Sequence, residues 1–275
     1  MRTLAATALL MLAAPSASAL ELLVPAYFYP EGQGATDWQT LASSAPEVRI
    51  TAILNPHNGP GDAPDPLYSD VVDAFRAAGG RVIGYVYTGY GKRDIGVVRA
   101  EIDTFYARYG IDGIFIDEMS SRASDLGYYT ALHDYIGAVH AGSHIVGNPG
   151  TQVPEAYLSV ADVLVTFESP AAEYAGYVAD DWTAIHDAAR FAHLVYDVAD
   201  ADAMQAAVDS ALRHGVGALY VTDDRGANPW DRLPSYWAAE TARVAAVPEP
   251  SAWAGFAAGL GLLAARLRRL AHRGA

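Results

Sequence analysis

Eight short apolar runs, separated by longer amphipathic stretches, follow one another between residues 20 and 246. Most of these runs are apolar without interruption, which is typical of strands in a parallel sheet covered on both faces. The pattern therefore limits the chain to folds built around a largely parallel sheet. The predicted strands are 22–29, 48–55, 81–88, 112–118, 144–148, 162–168, 190–197 and 217–223.

Helical signals lie between the strands. Asp65 and Pro66 form an N-cap followed by proline at the first helical position, and apolar residues then recur at helical spacing until Gly79. Eight strand-then-helix units in about 225 residues predict a TIM-type (β/α)8 barrel, whose usual size is ~250 residues. A doubly wound open sheet is the alternative, but no Gly-x-Gly-x-x-Gly turn follows the first strand. The predicted helices are 36–44, 66–78, 96–108, 124–141, 152–158, 171–180, 204–212 and 234–245.

Both ends of the chain have the composition of targeting segments. Arg2, an apolar stretch and the small residues Ala17-Ser18-Ala19 predict a secretory signal peptide at 1–19. Near the other end, the apolar segment 252–265 precedes four arginines, which predicts a stop-transfer element with its arginines on the cytoplasmic side. The predicted domains are the signal peptide at 1–19, a catalytic barrel at 20–246 and a sorting or transmembrane tail at 247–275.

The order Val-Pro-Glu-Pro, apolar span and arginine cluster from Val247 onward resembles the PEP-CTERM sorting tail of Gram-negative bacteria. The resemblance implies processing by an exosortase-type enzyme in an organism that makes extracellular polysaccharide. We therefore expect an exported protein, at the cell surface or extracellular, that meets the membrane only through this tail.

The barrel region is strongly acidic. All but one of the 32 acidic residues and all but five of the 18 basic residues lie between residues 20 and 246, which gives −18 against −14 for the whole chain. Such a charge disfavours nucleic acid and other polyanions and favours a neutral or cationic substrate. Binding of a cationic substrate should weaken as salt rises. The chain has no cysteine, so it forms neither disulfides nor thiolate metal sites.

Polar and aromatic residues stand at the predicted strand ends, which in a TIM-type barrel form the mouth where chemistry occurs. Adjacent strand residues point to opposite faces, so Asp117 and Glu118 should have different roles. Asp197 and Asp223 also have an alternative interpretation as helix caps or turn formers. The substrate-binding candidates are Tyr27, Tyr29, Asn55, Tyr87, Asn148, Asp197, Asp223 and Trp230, with Tyr85 and Tyr90 as further stacking candidates.

The sequence lacks the motifs of a zinc site, of a serine hydrolase and of a phosphate-binding loop. The eight histidines include no His-Glu-x-x-His pair, and there is no Gly-x-Ser-x-Gly elbow. The segment 55–61 lacks the Gly-Lys-Ser/Thr of a phosphate loop. The sequence therefore predicts no metal and no cofactor, and it disfavours a serine hydrolase or a metal-dependent deacetylase.

Several segments together resemble the spherulin-4-like family, which is grouped as glycoside hydrolase family 135. The resemblance implies a (β/α)8 barrel that hydrolyses α-1,4-linked galactosamine and N-acetylgalactosamine polymers of microbial biofilms. It implies Asp117, Glu118 and Glu168 as the catalytic acids, with Asn148 as their cleft partner. The matching segments are LLVPAYFYP, ILNPHNGPG, VIGYVYTGYGKR, YGIDGIFIDEM, GNPG and VTFES, in family order between about residues 22 and 170.

Glycoside hydrolysis requires two carboxyl groups, one protonated and one ionised, and the chain supplies them. Glu168 follows an apolar run that would raise its pKa, so we predict it as the general acid. Asp117 would be the ionised nucleophile or stabiliser, and Glu118 would orient it or contact a substrate amine. The predicted function is an endo-acting glycoside hydrolase of amino-sugar exopolysaccharide. A non-catalytic polysaccharide-binding barrel of the biofilm matrix is the alternative.

Overall fold

The computed structural model describes residues 20–247. They form a closed barrel of eight parallel strands in sequence order, with the last strand paired to the first. The predicted (β/α)8 class is therefore confirmed, and all eight predicted strands are present with ends shifted by a few residues. The strands are β1 Glu21–Ala26, β2 Ile50–Leu54, β3 Arg81–Tyr87, β4 Gly113–Asp117, β5 His144–Gly147, β6 Val163–Pro170, β7 Phe191–Tyr196 and β8 Ala218–Val221.

Helices cover the outside of the barrel, and three of those described begin at an aspartate that caps them. Asp65 Oδ1 accepts a hydrogen bond of 2.9 Å from the backbone N–H of Leu67, and Asp94 and Asp200 cap two later helices in the same way. The helices are α1 Gln33–Ser44, α2 Pro66–Ala77, α3 Ile95–Tyr109, α4 Leu126–Val139, α5 Ala171–Tyr174, α6 Ala201–Arg213 and α7 Trp237–Ala245.

Two predicted helices are wrong in extent. The segment 152–158 forms only a 3-10 turn, Glu155–Ser159, which begins after Pro154, because a proline disfavours the helical conformation of the residue before it. The segment 171–180 is helical only over α5. Tyr174, the last residue of α5, is buried, and the chain from there to β7 runs as loop and 3-10 turns. These shortened connections follow β5 and β6.

The core consists of strand side chains and the helix residues packed on them. Phe105 of α3 is fully buried, and a Cβ added to Gly84 of β3 would lie 2.6 Å from its ring. Glycine at this position therefore lets α3 approach the barrel wall closely. The packed barrel fixes where each strand ends, and so it fixes the mouth.

Within residues 20–247, no helix combines the length and the apolar composition that crossing a membrane requires. The predicted signal peptide and the tail beyond residue 247 lie outside the described residues.

Candidate active site

Asp117 is the last residue of β4 and so lies at the mouth of the barrel. The hydroxyl of Tyr85, on the neighbouring strand β3, donates a 2.6 Å hydrogen bond to Asp117 Oδ2. The side-chain amide of Asn148 donates a 2.7 Å bond to Asp117 Oδ1. Both carboxylate oxygens thus have a donor, which stabilises the ionised form of a buried acid.

Asn148 joins Asp117 to the second acid. It follows β5 directly, and its Nδ2 also donates a 2.6 Å hydrogen bond to Glu168 Oε2. The backbone N–H of Gly150 donates to Asn148 Oδ1 at 2.9 Å, which fixes the amide with its NH2 group toward the acids. Because bonds of 2.7 Å and 2.6 Å meet at one nitrogen, Asp117 Oδ1 and Glu168 Oε2 are at most 5.3 Å apart.

Glu168 lies in β6 beyond an irregularity in the sheet. The register of β6 against β7 shifts between Val165 and Phe167. Such bulges re-aim the residues that follow, and they are frequent beside active sites. The backbone N–H of Glu168 donates to the Gly150 carbonyl at 3.0 Å, which ties this strand to the loop after β5. The irregularity and this bond together set the position of the Glu168 carboxyl.

The two acids have different electrostatic environments. Burial, and then the nearby charge of Asp117, raise the pKa of Glu168 to about 7, although the Asn148 hydrogen bond acts in the opposite direction. Burial also raises the pKa of Asp117, while hydrogen bonds from Tyr85 and Asn148 oppose that rise. Asp117 therefore ionises first, and Glu168 retains its proton toward neutral pH. A carboxylate beside a carboxylic acid is the charge state that glycoside hydrolysis requires.

Glu118, next to Asp117 in the chain, differs from this pair in its backbone conformation. Its φ of 48° is left-handed, and its carbonyl accepts hydrogen bonds from Thr88 Oγ1 at 2.7 Å and from the N–H of Tyr90 at 2.7 Å. Within residues 20–247, the Glu118 carboxylate has no hydrogen bond and no ion pair. The two neighbouring acids thus lie in different surroundings, but the cause is the left-handed turn after β4 and not the strand alternation that the sequence suggests.

The predicted aromatic residues divide into buried and open rings. Tyr27 lies edge-on to Tyr85 at 5.7 Å, beside the acids. Tyr29 is 47% exposed, and its hydroxyl donates to Asp65 at 3.1 Å. One face of Tyr87 is covered by the Arg93 guanidinium, 3.9 Å from the ring centre. The remaining ring, Trp230, is only 6% exposed and packs beneath the mouth, so it offers no open platform.

The remaining predicted residues have local partners. Asn55 Oδ1 accepts a 3.0 Å bond from the N–H of Gly59 and closes the loop after β2. Asp223 accepts a 2.8 Å bond from Arg232 and weaker ones from the Ser235 N–H, the turn-forming role that was its alternative interpretation. Asp197 is exposed and has a left-handed φ of 55°. The structure does not bring these three residues into contact with the acid pair.

Two contributions to the site were missed from the sequence. The sequence predicts Tyr85 only as a stacking ring, but its hydroxyl donates a hydrogen bond to Asp117. Tyr196, which is not among the predicted site residues, ends β7 near the acids. Burial, and then the charge of Glu168, raise the pKa of its hydroxyl. Its position immediately before Asp197, at a strand end, was the available signal.

A cleft of about 1090 Å³ opens at the opposite end of the barrel. Its charged side chains are paired: Arg81 lies 3.7 Å from Glu21, and His144 lies 3.7 Å from Asp162. That end of a TIM-type barrel serves stability, whereas the mouth holds the chemistry. In the described part of the chain, no three His, Asp or Glu residues converge to hold a metal ion.

The fold and the acid pair together define a TIM-type barrel protein with a two-carboxylate site. The chain belongs to spherulation-specific family 4, whose family model matches residues 21–244. Spherulin-4 of Physarum polycephalum is 34% identical over 246 residues, which cover 85% of this chain and 73% of that protein. The predicted family membership is therefore confirmed.

Solved structures of similar fold include proteins that act on or bind sugars. Sph3 of Aspergillus clavatus, solved in complex with GalNAc, has a TM-score of 0.69 at 24% identity, covering 84% of this chain and 98% of Sph3. A chitinase from Chromobacterium violaceum ATCC 12472 has a TM-score of 0.54 at 11% identity, covering 83% and 99%. At these identities the likeness establishes the barrel fold.

Proposed function

We propose that the protein is an endo-acting glycoside hydrolase of α-1,4-linked galactosamine and N-acetylgalactosamine polymers. The observation that carries the proposal is the bridge from Asp117 through Asn148 to Glu168, which holds two acids of unequal proton affinity at one end of the barrel. The GalNAc complex of Sph3 supports the choice of sugar. Export and sorting of the tail by an exosortase-type enzyme belong to the same proposal.

The geometry supports a division of labour between the acids. Glu168 would donate its proton to the glycosidic oxygen as the bond to C1 breaks, while Asp117 attacks C1 from the other face and forms a glycosyl–enzyme ester. The Glu168 carboxylate then removes a proton from water, which attacks C1 and releases Asp117. Tyr85 and Asn148 would stabilise Asp117 as the leaving carboxylate in that second step.

The direct test is incubation of the purified protein with partly deacetylated galactosamine exopolysaccharide. We expect soluble oligosaccharides of several lengths to appear early, because an endo-acting enzyme cuts within the chain. Chromatography with mass detection measures them. Polymer that stays intact but bound to the protein would favour the non-catalytic alternative.

The spacing of the acids predicts the stereochemical outcome. Retaining glycosidases hold their carboxyl groups about 5–5.5 Å apart, whereas inverting enzymes need roughly 6.5–9.5 Å to admit a water molecule. The limit of 5.3 Å between Asp117 Oδ1 and Glu168 Oε2 lies below the inverting range, which favours the first class. Proton NMR during the first minutes of hydrolysis should therefore show the α-anomer at new reducing ends. A β-anomer as the first product would contradict direct attack by Asp117.

A further inference from the structure

Two strained residues on neighbouring loops of the mouth are bonded directly to each other. Tyr90, in the loop after β3, has a left-handed φ of 58°, and Glu118, just after β4, has one of 48°. The left-handed region is unfavourable for a bulky side chain and is found mainly where function or surrounding contacts impose it. The Tyr90 N–H donates a 2.7 Å hydrogen bond to the Glu118 carbonyl, so each residue holds the other in place.

The surrounding turn fixes this conformation from both sides. Gly89 and Gly91 flank Tyr90 and are also left-handed, with φ values of 57° and 78°. Thr88 adds a 2.7 Å hydrogen bond from its hydroxyl to the Glu118 carbonyl. These contacts together fix the backbone that carries the Tyr90 side chain.

Tyr90 and Glu118 present complementary groups beside the acid pair. The Tyr90 side chain is 55% exposed although it lies at the mouth, and it has no ring partner in the described residues. The Glu118 carboxylate is half-buried and lacks any donor within residues 20–247. The shared backbone bond keeps the two Cα atoms within about 7 Å of each other, given standard bond lengths.

We propose that Tyr90 and Glu118 form a rim subsite for a hexosamine that carries a free ammonium group. The Tyr90 ring would lie against the sugar, and the Glu118 carboxylate would bind the ammonium. An aromatic face attracts an adjacent cation, and a carboxylate without another donor gains a charge-assisted hydrogen bond. The subsite deepens the proposed function, on which it rests, by favouring deacetylated units of the polymer over acetylated ones.

The electrostatic surroundings of Tyr90 agree with this arrangement. Partial burial raises the pKa of its hydroxyl, and the charge of Glu118 is the next largest cause, ahead of Asp117 and Glu168. Tyr90 is therefore close to all three acids. A sugar stacked on its ring would lie next to the bond-breaking centre.

Binding is best measured in a Glu168→Gln background, so that turnover does not intervene. Isothermal titration calorimetry would compare α-1,4-linked galactosamine oligosaccharides with their fully N-acetylated counterparts. Tyr90→Gly removes the ring but keeps the left-handed backbone, because glycine adopts positive φ without strain. Tyr90→Phe, which keeps the ring, is the matched control. Glu118→Gln removes only the charge.

We expect Tyr90→Gly to weaken binding of the deacetylated oligosaccharide about 5- to 10-fold, while Tyr90→Phe stays within about twofold. Glu118→Gln should weaken the deacetylated ligand about 10-fold and leave the acetylated one unchanged. The melting temperature of Tyr90→Gly should not fall, which separates loss of the ring from loss of the fold.

Several results would overturn the subsite. Unchanged affinity of Tyr90→Gly for the deacetylated oligosaccharide would show that the Tyr90 ring does not bind the sugar. An equal loss of affinity for the deacetylated and the acetylated oligosaccharide in Glu118→Gln would show that Glu118 does not recognise the ammonium group. Hydrolysis of the same oligosaccharides by the wild-type protein is assayed separately. The expected binding pattern without any hydrolysis would reject the hydrolase function and keep the subsite.

Discussion

Replacing Glu168 by Gln is expected to lower turnover of the polymer by ~10²–10⁴-fold, the usual effect of losing a positioned proton-transfer group. Gln keeps the size of the side chain and an oxygen that can accept the Asn148 hydrogen bond, so the fold and substrate binding should persist. Asp117→Asn should cause a loss at least as large, because it removes the attacking carboxylate. Steady-state kinetics and circular dichroism measure the two consequences.

A substrate with a good leaving group distinguishes the roles of the two acids. A nitrophenyl leaving group needs little help from a general acid, so Glu168→Gln should release a rapid burst of nitrophenol from a nitrophenyl galactosamine oligosaccharide. Its steady turnover should stay slow, because Glu168 also deprotonates the water in the second step. Asp117→Asn should remain slow on both substrates. Asp70→Asn, at an exposed position on α2, is the matched control for loss of one negative charge and should behave as wild type. Wild-type turnover by both active-site variants would disprove the proposed site.

The sequence was sufficient to predict the barrel and the strand ends that meet at its mouth. Asp117 follows an uninterrupted apolar run and Glu168 one broken only by Thr166, and parallel strands in a closed barrel bring such ends together. Local caps such as Asp65 and Pro66 fixed the start of α2 because capping depends only on neighbouring residues. These features depend on local sequence or on topology.

The features that could not be predicted depend on contacts between segments distant in sequence. Trp230 is apolar and lies in a loop, but its burial results from packing against Tyr196 and Tyr220. Asp223, like the acids, lies near the end of a strand, but Arg232 pairs with it. The left-handed conformation of Glu118 is held by hydrogen bonds from another loop, so nothing in its own segment predicts it.

The raised pKa of Glu168 should also make the free energy of unfolding of the wild-type protein fall as the pH rises. An ordinary glutamate titrates near 4.5, whereas the folded protein raises the pKa of Glu168 to about 7. The folded state therefore holds this proton more tightly than the unfolded chain. The resulting stabilisation is complete below about pH 4.5 and is lost as the pH rises through about 7.

The size of this effect is about 3 kcal/mol, because each pKa unit corresponds to about 1.4 kcal/mol. Glu168→Gln has no proton to lose at this position. Its free energy of unfolding relative to wild type should therefore rise by about 3 kcal/mol between pH 4.5 and pH 8. Urea denaturation at the two pH values measures the difference, and Asp70→Asn should show no such change.

If Glu168→Gln is more stable than the wild type at pH 8 and also loses turnover, then Glu168 lowers the stability of the fold and serves catalysis. The burial that raises the pKa of Glu168 also keeps it protonated for donation to the glycosidic oxygen. A stability difference that does not change with pH would mean that the carboxyl titrates normally, and the assignment of Glu168 as general acid would then fail.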